Sequence, residues 1–265
     1  SHIMELRRKY RDMGEIVKDE KFYAKINQTK AAEYEYTDYI LTLSNYARQT
    51  LLDAGVPERK VYTVNLGFDP TLFTPKAAYN HGEGFNFLFV GQLSNRKGVR
   101  LVLEAFKQLN LPGATLTIVG ALADSKATME QYEGMFTHVP FLLHDDLVRY
   151  YQRADVFVFP SYLDSWAMTV LEAMACGTPV IVTEHTGSRD AVKQGGGFVI
   201  PVDDLEALKE RMRFFYHHRD QVEQIGRKAH TVAQAYTWNN YYRQVQHAML
   251  EMWEQQAVAH STLSI

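Results

Sequence analysis

Two groups of residues in this chain have the types and spacing to act on an anionic ligand. The first is Asp164–Val182, DSWAMTVLEAMACGTPVIV. Glu172 is the lone charge in an apolar helical run, and Asp164 lies in the loop before that run. A buried carboxylate without a partner is costly, and nothing basic lies within the run to pair with Glu172. The simplest partner is a ligand hydroxyl or amide, reached from a cleft at the start of the helix. A loop amide is the structural alternative. Backbone amides at a helix start also favour an anion such as phosphate. The second group is Phe89–Val102, FVGQLSNRKGVRLV. A strand is expected to end at Gly91, with a helix opening near Lys97-Gly98. A lysine in a first helical turn opposes the helix dipole. That mismatch is accounted for if Lys97 serves an anion held at the same place, with the adjacent Arg96 as the alternative.

The flanking elements must position these groups. Asp155–Ser161 (DVFVFPS) has the short, β-branched and aromatic character of a buried parallel strand. Gly177-Thr178-Pro179 stops the helix, and Pro179–Thr183 is the next strand. This is a βαβ unit, and in open parallel sheets ligands bind beyond the carboxyl ends of the strands. The same alternation extends over strands at Phe85–Gly91, Ala114–Gly120, Val139–Leu143, Asp155–Pro160, Pro179–Thr183 and Phe198–Pro201. Helices are expected at Lys97–Leu109, Ser125–Glu133, Asp146–Arg153, Met168–Cys176 and Ser188–Gln194. The pattern predicts an α/β fold, a Rossmann-like parallel sheet with helices on both faces. Upstream, residues 5–37 read as helical and Tyr39–Leu43 as a strand. Asn45–Ala54 reads as a helix capped by Ser44 or Asn45 and ended by Gly55. Lys60–Asn65 is a further strand and Phe68–Pro75 an ordered turn. From Leu205 onward the pattern is helical.

Composition narrows the function. The chain has 265 residues, 46% hydrophobic, with a net charge of −3, which gives no bulk electrostatic case for nucleic acid. No apolar run approaches the roughly 18–20 residues that span a bilayer, and no signal-peptide pattern is present. The single cysteine, Cys176, excludes an internal disulfide and fits a reducing compartment, so a cytoplasmic location is expected. Ser1-His2-Ile3-Met4 reads as an expression scar. Arg7, Arg8, Lys9 and Arg11 read as a solvated helix face, with peripheral contact to anionic lipid as the alternative.

Ordered motifs across most of the chain carry a family resemblance. Gly91-Gln92-Leu93 and Lys97-Gly98 stand where a G-R-L and a K-G pair are usual. Asp164-Ser165-Trp166-Ala167-Met168 and Glu172-Ala173-Met174-Ala175-Cys176-Gly177-Thr178-Pro179-Val180 stand where E-G-F-G-L-x-x-x-E-A-M-A-C-G-x-P-V is usual. Upstream, Ser44 through Phe73 follows the same family's pattern, including Gly55-Val56-Pro57 and Asn65-Leu66-Gly67-Phe68-Asp69. The chain resembles, from about Tyr34 to Tyr236, the donor-binding half of retaining glycosyltransferases of the GT-B fold, family four (glycosyl transferases group 1). It departs from the pattern at Asp164, usually glutamate, at Gln92, usually arginine, and at Ala167, usually glycine.

The resemblance implies a nucleotide-sugar donor such as a UDP- or GDP-sugar, a glycan or lipid-linked acceptor, and a place in polysaccharide biosynthesis. It implies that Glu172 holds the ribose hydroxyls and Asp164 faces the donor sugar. Lys97 would neutralise the departing diphosphate, with Gly91, Gln92 and Arg96 in the same loop. Amides of Trp166, Ala167, Met168 and Thr169 would approach the sugar and diphosphate. No metal and no other cofactor is expected. The implied organisation is residues 5–75 as the end of an acceptor domain, 76–84 as a linker, 85–235 as the donor domain and 236–265 as a terminal helix crossing back. On that reading most of the acceptor domain is missing, and the piece binds donor with little turnover. Two other functions compete. A non-catalytic nucleotide-sugar binding module accommodates Gln92 and Asp164. A nicotinamide-dependent dehydrogenase is disfavoured because no G-x-G-x-x-G follows Phe85–Gly91. Cys176 reads as a small buried residue, His144 and His185 as loop histidines without a role. Trp238, Tyr241, Tyr242 and Trp253 read as one helix packing face.

Overall fold

The computed structural model describes residues 20–82, 84–123 and 126–262. The expected scar at 1–4 and the basic cluster at Arg7–Arg11 lie outside these residues.

The described chain opens with helix α1 (Glu20–Tyr36), strand β1 (Ile40–Thr42), helix α2 (Asn45–Asp53) and strand β2 (Val61–Thr63). β1 and β2 pair in parallel, Ile40 opposite Val61. Ser44, not Asn45, caps α2: its Oγ accepts from the Ala47 amide at 3.1 Å.

The main sheet then forms from β3 (Phe85–Val90), β4 (Ala114–Val119), β5 (Thr137–Val139), β6 (Val156–Phe159), β7 (Val180–Thr183) and β8 (Gly197–Ile200). All pairs are parallel, in the order β5-β4-β3-β6-β7-β8. β6 and β7 are buried at every residue, as strands covered on both faces should be. The helices between strands are α3 (Val99–Leu109), α4 (Lys126–Gln131), α5 (His144–Arg153) and α6 (Met168–Ala175); a short helical turn at Arg189–Ala191 precedes β8. α6 is apolar around its circumference and almost wholly buried, and Glu172 is its one charge. The strand order reverses direction between β3 and β6. Such a switch point opens a crevice above the two carboxyl ends, and the loops leaving β3 and β6 hold the two groups singled out in the sequence.

Three expectations are corrected. β5 ends at Val139 and does not run to Leu143. Pro140 has no amide to give a ladder, and Phe141 and Leu143 are 74% and 64% exposed, so the apolar run is not a buried strand. α5 begins two residues earlier than expected, at His144. The helix expected from Lys97 begins at Val99, because Asn95–Lys97 form a separate 3₁₀ turn ended by Gly98 at φ 78°.

Helices α7 (Leu205–His217), α8 (Arg219–Ala233) and α9 (Trp238–Thr262) complete the described chain. α9 lies along the β1–β2 unit. Gln244 Oε1 accepts from the Asn65 amide at 3.1 Å, the Tyr39 hydroxyl donates to the Met252 carbonyl at 3.0 Å, and Gln255 donates to the Tyr62 hydroxyl at 2.8 Å. Those contacts follow one helical stripe, which leaves Tyr242 and Trp253 exposed and not on the packing face with Trp238 and Tyr241.

The segment 76–84 is tied to the main sheet's helices. The Lys76 amide donates to the Cys176 carbonyl at 3.0 Å and the Tyr79 hydroxyl to the Gly177 carbonyl at 2.9 Å. Lys76 Nζ donates to the Ala154 carbonyl. Burial pushes this ammonium down to about 8, against the opposing pull of Asp155. Between pH 8 and the ordinary 10.5 the unfolded chain therefore holds more protons than the folded one, and stability rises with pH. Allowing for partial solvent contact, the rise is on the order of 2 kcal/mol. Lys76→Met should remove it, read as a flatter dependence of the urea midpoint on pH; an unchanged slope would count against a desolvated Lys76.

Candidate functional site

Lys97 arrives from the loop after β3 and Asp164 from the loop after β6. These strands are neighbours, with Leu88 opposite Phe157. Lys97 Nζ donates to Asp164 Oδ2, and the two side chains are only 15% and 12% exposed. Asp164 Oδ1 accepts from the backbone amides of Trp166 at 3.0 Å and Ala167 at 2.8 Å. One carboxylate thus sits where an ammonium and two amides at the start of α6 converge, an arrangement suited to any anion. Burial lowers the Lys97 pKa, and the Asp164 charge opposes that shift.

The backbone is shaped for this. Ala167 has φ 60° and ψ 75° at the N-terminus of α6, a left-handed conformation that suits glycine better than alanine. Ala167 thus stands, in such a conformation, where the resembled motif has glycine. Gly98 has φ 78°, and a Cβ there would fall 2.1 Å from the Pro160 carbonyl oxygen. The β3–α3 loop therefore crosses the end of β6 at backbone contact, which brings Lys97 to Asp164.

Glu172 is 6% exposed, on the second turn of α6. A ligand is the simplest partner on sequence and a loop amide the alternative; the structure supplies a third, a side chain of another helix. The Tyr151 hydroxyl, from α5, donates to Glu172 Oε2 at 2.8 Å. That partner lies 21 residues upstream on another helix, beyond any local window. Burial raises the Glu172 pKa, opposed by the Tyr151 hydrogen bond and by His144. Aromatic rings connect the two groups. Lys97 Nζ lies 5.5 Å from the Phe159 ring centre, Phe159 stacks on Phe157 at 6.0 Å, and Phe157 meets Tyr151 edge-on at 5.9 Å. Phe157 and Phe159 share one face of β6 because side chains alternate along a strand.

The other candidates divide. Arg96 Nη1 donates to the Leu163 carbonyl at 2.8 Å and so braces the Asp164 loop. Gln92 is exposed, and Gly91, Met168 and Thr169 are partly exposed at the ends of β3 and α6. In the same loops Ser94 Oγ and Trp166 Nε1 are buried without a hydrogen-bond partner. Cys176 is fully buried, and burial pushes its thiol up to about 12, which fits an inert packing residue. His185 stacks on Tyr46 at 5.4 Å.

The α2 unit reaches the site as well. While capping α2, the Ser44 hydroxyl donates to the Ser165 carbonyl at 2.7 Å, and Asn45 donates to Asp190 at 3.1 Å. The sequence marks Ser44 as a cap and as the start of a family-like segment, but its second partner lies 121 residues away and no local pattern points to it. Tyr151 carries no signal in the sequence, because a tyrosine on an amphipathic helix gives no sign of which carboxylate it will meet.

Comparisons with known proteins agree with this architecture. The model of the family described as glycosyl transferases group 1 matches residues 75–232. A D-inositol 3-phosphate glycosyltransferase of Paenarthrobacter aurescens is 30% identical over 195 residues, 65% of this chain and 47% of that protein. The amylovoran biosynthesis glycosyltransferase AmsK of Erwinia amylovora is 26% identical over 190 residues, 66% of this chain and 46% of that protein. The chain spans about half the length of the curated relatives it matches. Among solved structures, Anabaena HepE in complex with UDP and glucose superposes with a TM-score of 0.71 at 17% identity, covering 81% of this chain and 63% of that one.

Proposed function

Because this chain belongs to the glycosyl transferases group 1 family and its main sheet is the Rossmann-like half of a GT-B fold, we propose that it holds a nucleotide-sugar donor above β3 and β6 for transfer of the sugar to an acceptor. Lys97 then exchanges Asp164 for the donor diphosphate, joined by amides of Trp166–Thr169. The released Asp164 carboxylate faces the sugar. Glu172 accepts from the ribose hydroxyls through the oxygen that Tyr151 does not use. Gly91 and Gln92 border the phosphate, and Arg96 keeps the Asp164 loop in place. Cleavage of the glycosyl–phosphate bond puts negative charge on the diphosphate, and a fixed ammonium with helix-end amides lowers the energy of that charge. Lys97 and the amides do this without a metal cofactor, and the transfer retains the anomeric configuration. The acceptor is a glycan or a lipid-linked sugar, as in polysaccharide biosynthesis.

The observation that carries this reading is the convergence of Lys97 and two amides at the entrance to α6 on one carboxylate. The buried, unpartnered Ser94 Oγ and Trp166 Nε1 add to it, since a ligand bond to each would recover about 1–3 kcal/mol of desolvation. Complexes of Anabaena HepE with UDP and with UDP-glucose lend further support. The test is a thermal-shift panel. At a hundredfold excess over Kd, UDP or GDP should stabilise the fold by about 2.7 kcal/mol and raise Tm by roughly 5–11 °C, while NAD should not. Glu172→Ala should weaken the effective nucleotide by about 1–3 kcal/mol. A response to NAD alone, or to no nucleotide, would sink the proposal.

A further inference from the structure

We infer that Tyr151 is a positioning residue for the nucleotide site: its hydroxyl holds the Glu172 carboxylate by one oxygen, so that the other is presented to the ligand diol. The inference rests on Glu172 serving the ribose. Tyr151 is fully buried, with Phe73 and Phe157 edge-on to its ring at 6.1 and 5.9 Å. Its own carbonyl accepts from the Thr178 hydroxyl at 2.6 Å, just past the end of α6. The residue is thus tied to the α6 region at both its backbone and its hydroxyl. Packing alone would be met by phenylalanine, so the hydroxyl is present for the carboxylate it bonds. Burial raises the Tyr151 pKa well above the ordinary tyrosine value, so the phenol stays protonated and acts as donor.

A pair that merely satisfies itself would matter only for stability. A positioning pair also carries into nucleotide affinity, because the bond that orients Glu172 also sets the pH at which it is charged. The titratable groups facing Glu172 are Tyr151 and His144 on α5 and Cys176 just past the end of α6, with Lys76 beyond Cys176. Loss of the Tyr151 bond raises the Glu172 pKa further, because that bond is the main influence opposing the upward push of burial. Nucleotide affinity depends on the carboxylate. It is full above the Glu172 pKa and falls as pH drops through it, so losing the bond moves that fall to higher pH.

The experiment is calorimetric titration of the whole chain with UDP, and with GDP in parallel, from pH 5 to 8. It compares the parent, Tyr151→Phe and Glu172→Ala. His144→Asn in each background removes the histidine's own titration. Tyr151→Phe should bind about tenfold more weakly at pH 7, with the affinity midpoint moved to higher pH. If Glu172→Ala binds both nucleotides as the parent does, the ribose reading itself fails. If Glu172→Ala weakens binding while folded Tyr151→Phe keeps the parent's affinity and midpoint, the positioning role is overturned and the ribose reading stands. Should Tyr151→Phe not fold, 3-fluorotyrosine at position 151 keeps the shape and strengthens the donor. It should move the midpoint to lower pH, and no movement would overturn the inference.

Discussion

Lys97→Ala should lower the affinity for UDP by roughly 100-fold while leaving that for uridine within about threefold. The size follows from what is left behind. Lys97 and Asp164 are both mostly buried and paired to each other, and the Asp164 carboxylate also takes the amides of Trp166 and Ala167. Removing the ammonium leaves a carboxylate seated in the anion site with nothing to draw it away. An incoming diphosphate then loses its cation and meets a like charge at short range, where the partly dry setting weakens screening. Uridine has no phosphate and is indifferent to both. The same reasoning makes the loss partly reversible. Asp164→Asn added to Lys97→Ala removes the repulsion and should restore about tenfold of the UDP affinity. Equal losses for uridine and UDP, or no recovery in the double variant, would show that Lys97 is not a phosphate ligand. Calorimetry on the parent, Lys97→Ala and the double variant reads both outcomes.

Gly98→Ala should cost about 4 kcal/mol or more of stability, seen as a fall in Tm of roughly 8–16 °C. Two effects add. The φ of 78° lies in the left-handed region, and the new Cβ would stand 2.1 Å from the Pro160 oxygen and 2.7 Å from its carbonyl carbon. Neither neighbour is a flexible side chain, so relief requires the β3–α3 loop to lift off the end of β6. Gly55→Ala separates the terms: its φ is 85°, but nothing lies within 4 Å of the added Cβ, so about 1–2 kcal/mol of backbone strain is expected. A Gly98→Ala protein as stable as Gly55→Ala would mean that the close approach to Pro160 is absent in solution. Lifting the loop also withdraws Lys97 from Asp164, so UDP affinity should fall with the stability.

The amino-acid sequence by itself determined the alternation of strands and helices and most of their limits. It did so because short apolar strands, caps and glycine stops are local effects: Ser44 heads α2, Gly55 follows it, and VFVF and VIVT are buried wherever their sheet forms. It also marked Lys97 and Glu172 as out of place in their own segments, by charge alone, while Asp164 stood out only through the family resemblance. Tertiary structure decided which strands are neighbours, and so that Lys97 meets Asp164 across 67 positions. It chose Tyr151 as the partner of Glu172, held Ala167 in a conformation that suits glycine, and left Phe141 and Leu143 in solvent despite their apolar run. These outcomes depend on packing between elements distant along the chain. A local window of sequence carries the energy of each element, but not the identity of what lies against it.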